Sequence, residues 1–195
     1  SDGTLALTGD GTLGDTSGPT TGNANGTLDL GGTSQTEDGG ITLAGGTIQN
    51  GVLSSSGTFA LQGGTVSATL TGTGCVSQSS GTTTLSGTNS YTGGTVVDGG
   101  TLALTGSGAV VSSSLTVDGT FDISGIADQG TSVVDLDGSG SVVLGSKALT
   151  VSAGTGTFSG VLSGAGQFSL SGGTLTLTGA NSYSGGTTIS AGALS

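Results

Sequence analysis

Gly81 to Leu104 reads GTTTLSGTNSYTGGTVVDGGTLAL, and the phrase returns at Gly173 to Ser195 as GTLTLTGANSYSGGTTISAGALS, with its Asn-Ser-Tyr core 92 residues further on. Within it, Thr101-Leu102-Ala103-Leu104-Thr105 puts a leucine at every second residue between small or β-branched neighbours, which sets both leucines on one side of an extended strand. Thr4-Leu5-Ala6-Leu7-Thr8 and Thr174-Leu175-Thr176-Leu177-Thr178 repeat that alternation, and helical spacing is found nowhere along the chain. Glycine pairs such as Gly93-Gly94, Gly99-Gly100 and Gly185-Gly186 end each run after a few residues, where a positive φ costs glycine nothing. The spacing predicts roughly twenty or more short strands, too many for an open sheet and best accommodated by stacking turn on turn.

Working outward, each copy of the phrase follows a related lead-in, GTFALQGGTVSATLTGTG at Gly57 to Gly74 and GTFSGVLSGAGQFSLSGG at Gly156 to Gly173. Asp2 to Gly11 (DGTLALTGDG) also resembles Gly99 to Gly108 (GGTLALTGSG), so the chain reads as a stretch of a longer array. The expected architecture is all-β, a single continuous β-solenoid over 1–195 with related repeats near 45–106 and 156–195.

Composition agrees with a folded, glycine-cornered chain. Glycine occupies 44 of 195 positions, 7% of residues are charged, and the mean hydropathy is +0.23, on the folded side of the boundary with disorder. Twelve carboxylates face one lysine, Lys147, with no arginine and no histidine, for a net charge of −11. A phosphate backbone or an anionic membrane face would be repelled, so nucleic acid is excluded as a partner. Cys75 is the only cysteine, which rules out an internal disulfide.

The pattern Leu-Ser/Thr-Gly-x-Asn-Ser-Tyr-x-Gly-Gly-Thr, completed by Gly-x-Leu, runs from Leu85 to Thr95 and on to Leu102, and again from Leu177 to Thr187 and on to Leu194. It resembles the autotransporter-associated β-strand repeats of bacterial type V secretion passengers, with Asn89, Tyr91, Gly93 and Gly94, then Asn181, Tyr183, Gly185 and Gly186, as the motif residues. One departure is Cys75-Val76-Ser77-Gln78, where such passengers often carry a lysine. The resemblance implies a right-handed parallel β-helix of about three short strands per rung, with leucine, valine and isoleucine stacked inside. At roughly 4.8 Å per rung, eight to ten rungs make a rod on the order of 40 to 50 Å long.

It also implies an extracellular location on a bacterial cell surface, as a non-catalytic stalk or adhesin shaft. The implied partners are neighbouring repeats of the same chain, a ligand on a host or neighbouring cell, and an outer-membrane β-barrel translocator. Head-to-tail self-association into an extracellular filament or matrix is the alternative function, and a polysaccharide-active β-helix enzyme is a weaker one.

Each candidate chemical group has a plain structural reading beside it. Asp135, Asp137 and Ser139 follow the opening of a calcium loop, but Ser146 stands where a bidentate glutamate belongs, so a polar turn is the expected role. Glu37 and Asp38, in the stretch from Gly32 to Gly40, read as a solvated loop pair, and Lys147 as an exposed strand-end residue. Without histidine no serine nucleophile can be activated in the usual way, so no catalytic residue and no cofactor is expected. Asparagine at the motif suits a left-handed turn and bonds nearby backbone groups, and tyrosine suits a covered corner of the core, with a carbohydrate-stacking platform as the alternative. Cys75 reads as a small buried apolar residue.

Overall fold

A computed structural model describes residues 3–110 and 114–195; Asp2, where the resemblance to Gly99 begins, lies outside them. Among the described residues the regular structure is 26 short strands and no helix. The strands pair in parallel with partners about one turn away in sequence, as in Thr47 with Thr65, Thr82 with Thr101 and Thr120 with Ser141. This is the β-solenoid that the alternation and the glycine punctuation predict.

The strands make three walls, visited in one order, although the turns after Thr82–Leu85 and Thr101–Gly106 have no described strand on one of them. The longest is a nine-stranded sheet from Thr4–Ala6 through Thr27–Asp29, Thr47–Gln49, Gly64–Val66, Thr82–Leu85, Thr101–Gly106, Thr120–Ile126 and Ser141–Gly145 to Val161–Gly164. A seven-stranded sheet runs from Thr20–Asn23 to Asp135–Asp137, and a bridge from Gly138 to Phe158 carries that wall on into Thr157–Phe158, Thr174–Leu177 and Ala193–Leu194. The remaining wall starts with Ser34–Thr36, Val52–Ser54 and Thr69–Thr71; in later turns its place is taken by Gly130–Val133, Ala148–Val151, Phe168–Leu170 and Thr187–Ile189.

Alternation decides which side chains enter the tube. Leu28, Ile48, Val66, Leu85 and Leu104 stack in register along one inner column and are buried. Each such side chain contributes about 1.5–3 kcal/mol of transfer free energy, and each needs its neighbouring turns to receive it. Thr4, Thr27, Thr47, Thr65 and Thr84 form the matching outer column, a polar ladder toward solvent. In the first turn the inward register holds but the cover is thin, so Leu5 is 57% exposed while Leu102, Leu104 and Leu175 are fully buried.

The glycine content has a specific cause at one edge. Gly81, Gly100, Gly119, Gly140, Gly160 and Gly179 follow one another up a single corner. A Cβ on any of them would strike the carbonyl oxygen of Gln62, Gly81, Gly100, Gly119, Gly140 or Gly160, respectively, one turn below. Turns can therefore close to strand-pairing distance only if this corner lacks side chains.

Three expectations need correction. The stretch from Gly32 to Gly40 is not all loop: Ser34–Thr36 is a strand with Gln35 turned inward. Glu37 is buried at 2% exposure instead of solvated, because the inward alternation continues past Gln35 and brings it into the corner. Its Oε2 accepts a hydrogen bond from the Thr20 hydroxyl at 2.7 Å, while Oε1 is buried without a partner. Asp38 does face out, its Oδ1 accepting from the backbone N–H and hydroxyl of Ser56. Cys75 is only half-buried, with Sγ 3.4 Å from the Thr58 hydroxyl, since it stands at a corner where burial is incomplete.

Candidate functional site

The motif residues are the most specific feature of the chain, and the fold brings each copy together as one unit. After Thr82–Leu85 the chain rounds a corner into a segment that is not a strand, although the Ser90 and Thr92 N–H groups bond the turn below. There the Asn89 side chain points inward and adds bonds that the main chain does not make. Its Oδ1 accepts the Leu70 N–H at 2.9 Å from the turn before, and its Nδ2 donates to the Ala109 carbonyl at 3.1 Å in the turn after. Asn89 is 1% exposed, and its bond to Leu70 is made out of water, where leaving either group unpaired is costly, while the bond to Ala109 is partly buried.

Tyr91, two residues on, is also 1% exposed and lies inside the corner. Its hydroxyl meets the Thr95 hydroxyl at 2.8 Å, and its ring is tilted at 49° to that of Phe59, with centroids 6.3 Å apart. Burial pushes the Tyr91 phenol pKa well above its ordinary value, and the Thr95 hydrogen bond offsets only part of that rise. Gly93 then passes so close to Gly74 and Cys75 below that no Cβ fits, which accounts for the first glycine of the Gly-Gly pair.

The second copy repeats the arrangement. Asn181 Oδ1 accepts the Leu162 N–H at 2.8 Å, the Tyr183 hydroxyl meets that of Thr187 at 2.5 Å, and the Tyr183 ring is tilted 48° to Phe168 at 6.2 Å. Gly185 passes over Gly166 as Gly93 passes over Gly74. Asn181 and Tyr183 are half-buried, because these residues belong to the last turn described.

Both of these segments match the family model passenger-associated-transport-repeat, over residues 78–104 and 170–195. Together the two matches cover 53 of the 195 residues, 27 in the first and 26 in the second. No curated protein and no solved structure matches the chain. The passenger-associated repeat agrees with the resemblance carried by Asn-Ser-Tyr-x-Gly-Gly-Thr and connects the chain to autotransporter passengers.

Two readings of the repeat change with the geometry. Neither Asn89 nor Asn181 has a positive φ; among the described non-glycine residues that conformation falls to Asn25 (φ 65°) and Asn50 (φ 58°). The motif asparagines do bond backbone groups, but through an inward amide that reaches neighbouring turns. Tyr91 is enclosed, so in the first copy no ring face is open for a sugar to stack on.

The calcium candidates lie on a strand and its exit, not in a loop. Asp135 accepts bonds from the N–H groups of Leu136, Thr155 and Gly156 and from the Thr155 hydroxyl, and Asp137 accepts from the Thr157 N–H. Ser139 turns the other way, its N–H and hydroxyl both donating to Asp118 one turn below. The two aspartates therefore serve the turn above and Ser139 the turn below, so the three do not share one set of partners. Partial burial opposes ionisation of Asp135, but its four donors outweigh that and hold its pKa below the usual carboxylate value. Lys147 is half-buried in the turn ahead of Ala148–Val151, with its N–H bonded to the Leu144 carbonyl.

Sequence reading missed Gln35 and Gln78. Gln35 does for the irregular stretch 11–13 what Asn89 does for Ala109: its Oε1 accepts the Leu13 N–H and its Nε2 donates to the Gly11 carbonyl. Gln78 stands inward between Leu61 and Val97, with Nε2 bonded to the Ser80 and Gly81 carbonyls and Oε1 unpartnered. Their signal was positional, a long amide at a place where the alternation calls for an apolar residue.

Proposed function

We propose that the chain is a length of shaft in a secreted or surface-displayed passenger, holding an adhesive region away from the cell and carrying out no chemistry itself. The observation that carries this reading is the nine-stranded wall from Thr4 to Gly164, whose inner columns are filled almost without interruption by leucine, isoleucine, valine and phenylalanine. A tube packed to its axis resists bending, and each turn is stabilised chiefly by its neighbours. The outward columns are mostly threonine, serine and carboxylates. These keep the shaft soluble and supply neither the arginine nor the histidine that polysaccharide chemistry commonly recruits.

Three measurements test the reading. Antibodies against the chain are expected to label intact producing cells. Sedimentation velocity of the purified chain is expected to show an elongated monomer across a hundredfold range of concentration, and a polysaccharide panel is expected to yield no new reducing ends or unsaturated products. Long uniform fibres would replace the shaft with a self-assembling filament, and product release would overturn the non-catalytic assignment.

A further inference from the structure

We infer that the working unit of each repeat is two turns deep, and that the lead-in turn Leu-x-Gly-x-Gly, outside the residues the family model covers, is a built seat for the Asn–Tyr turn above it. The two seats are Leu70, Gly72 and Gly74 in the first copy and Leu162, Gly164 and Gly166 in the second, whereas the matched segments begin only at residues 78 and 170.

Three contacts between seat and motif recur in both copies. Leu70 gives its N–H to Asn89 and its carbonyl to the Ser90 N–H, and Leu162 does the same with Asn181 and Ser182. The Gly72 carbonyl accepts the Thr92 N–H at 2.9 Å, and the Gly164 carbonyl accepts the Ser184 N–H at 2.9 Å. Both of these glycines turn the corner at positive φ, 97° and 113°, one turn below Tyr91 and Tyr183 respectively. The next glycine of each seat, Gly74 or Gly166, lies where a Cβ on Gly93 or Gly185 would collide. A seat therefore needs a leucine whose main chain faces the asparagine amide, a glycine that turns beneath the tyrosine, and a second glycine beneath the Gly-Gly pair.

The walls give an independent argument that the two turns recognise each other. The 92 residues between copies, at roughly 20 per turn, amount to about four and two-thirds turns, so the second copy falls on a different wall. In the first copy the seat Thr69–Thr71 belongs to the wall of Ser34–Thr36; in the second, Val161–Gly164 belongs to the nine-stranded wall. The wall changes between copies, yet these seat–motif contacts do not. The unit is portable, and its partner is a preceding turn of this sequence rather than a particular side of the shaft. The inference stands or falls separately from the shaft reading.

Block replacement tests it in the full chain. Residues 67–74 (SATLTGTG) are exchanged either for the other seat, 159–166 (SGVLSGAG), or for 50–57 (NGVLSSSG), an ordinary turn of the same wall. Acrylamide quenching in a Tyr183→Phe background reads Tyr91 alone. Exchange of seats is expected to keep Tyr91 protected and the Tm within about 2 °C, while the ordinary turn exposes Tyr91 and lowers the Tm by about 5 °C or more. If the ordinary turn prevents folding, Gly72→Ala is compared with Gly138→Ala, another positive-φ glycine at a different corner (φ 110°). The first is expected to expose Tyr91 and the second to leave it protected. Equal protection with seat and ordinary turn, equal exposure with both, or equal behaviour of the two glycine variants overturns the inference.

Discussion

The side-chain carbonyl of Asn89 accepts the backbone N–H of Leu70 at 2.9 Å, so an asparagine side chain takes the place of a ladder bond between consecutive turns. Its amide nitrogen extends the link to Ala109, so one residue joins three turns. Asn89→Ala leaves the Leu70 N–H and the Ala109 carbonyl without those partners, and urea unfolding is expected to show a loss of about 2–4 kcal/mol. Asn181→Ala breaks the bond to Leu162 in a half-buried setting, and its expected loss is smaller, about 1–2 kcal/mol. Equal losses at the two sites would contradict the bridging role.

Tyr91 sets an alkaline limit. Burial raises its pKa in the folded state above the unfolded value, so its contribution is complete below about pH 10 and is lost as the pH rises from there toward the folded value. The Tm is therefore expected to fall above about pH 10. Tyr91→Phe removes the Thr95 hydrogen bond, at a cost of about 1 kcal/mol near neutrality, and flattens that alkaline decline. An unchanged alkaline slope in Tyr91→Phe would contradict this assignment.

Asp135 acts at the other end of the scale. Its folded pKa is depressed, so its contribution is present above the unfolded value near 3.8 and lost as the pH falls through the folded value. Asp135→Asn is expected to lower stability at pH 7 and to lessen the loss of Tm on acidification below about pH 4, as followed by circular dichroism.

Glu37 is a buried carboxylate with one oxygen unpaired, and Lys147, the chain's only lysine, sits several turns away. The Thr20 hydroxyl partners one oxygen and leaves Oε1 unpaired out of water, so Glu37→Gln is expected to raise the Tm by about 2–4 °C at pH 7, the change that about 1 kcal/mol gives in a chain of this size. A lowered Tm would show that the carboxylate is satisfied in a way its contacts do not reveal.

How far these features could be read in advance depended on the range of the physics behind them. Leu102 and Leu104 announced their strand because alternation is local, and Gly100 announced its corner because a glycine pair is local too. Asn89 and Tyr91 were conspicuous as a repeated motif, but what they touch, Leu70 and Phe59, lies 19 and 32 residues away and is fixed only once the turn length is known. Glu37 was misjudged for the same reason: its neighbours in sequence are polar and glycine-rich, while its place in the corner is set by Thr20 and Ser55 in adjacent turns. The wall that each repeat occupies follows from residues per turn summed over several turns, which no local pattern records.

The central claim is that distance along the molecule grows by one strand spacing per turn. Spin labels at outward positions of one column, in a Cys75→Ser background, test it most directly by pulsed dipolar spectroscopy. Thr27 is five register steps from Asp122 and seven from Ser163. The predicted separations, before allowance for the label arms, are about 24 Å and about 34 Å, a linear rise of roughly 4.8 Å per turn. Separations that are equal, or that stop growing between the two pairs, would contradict the solenoid and with it the shaft.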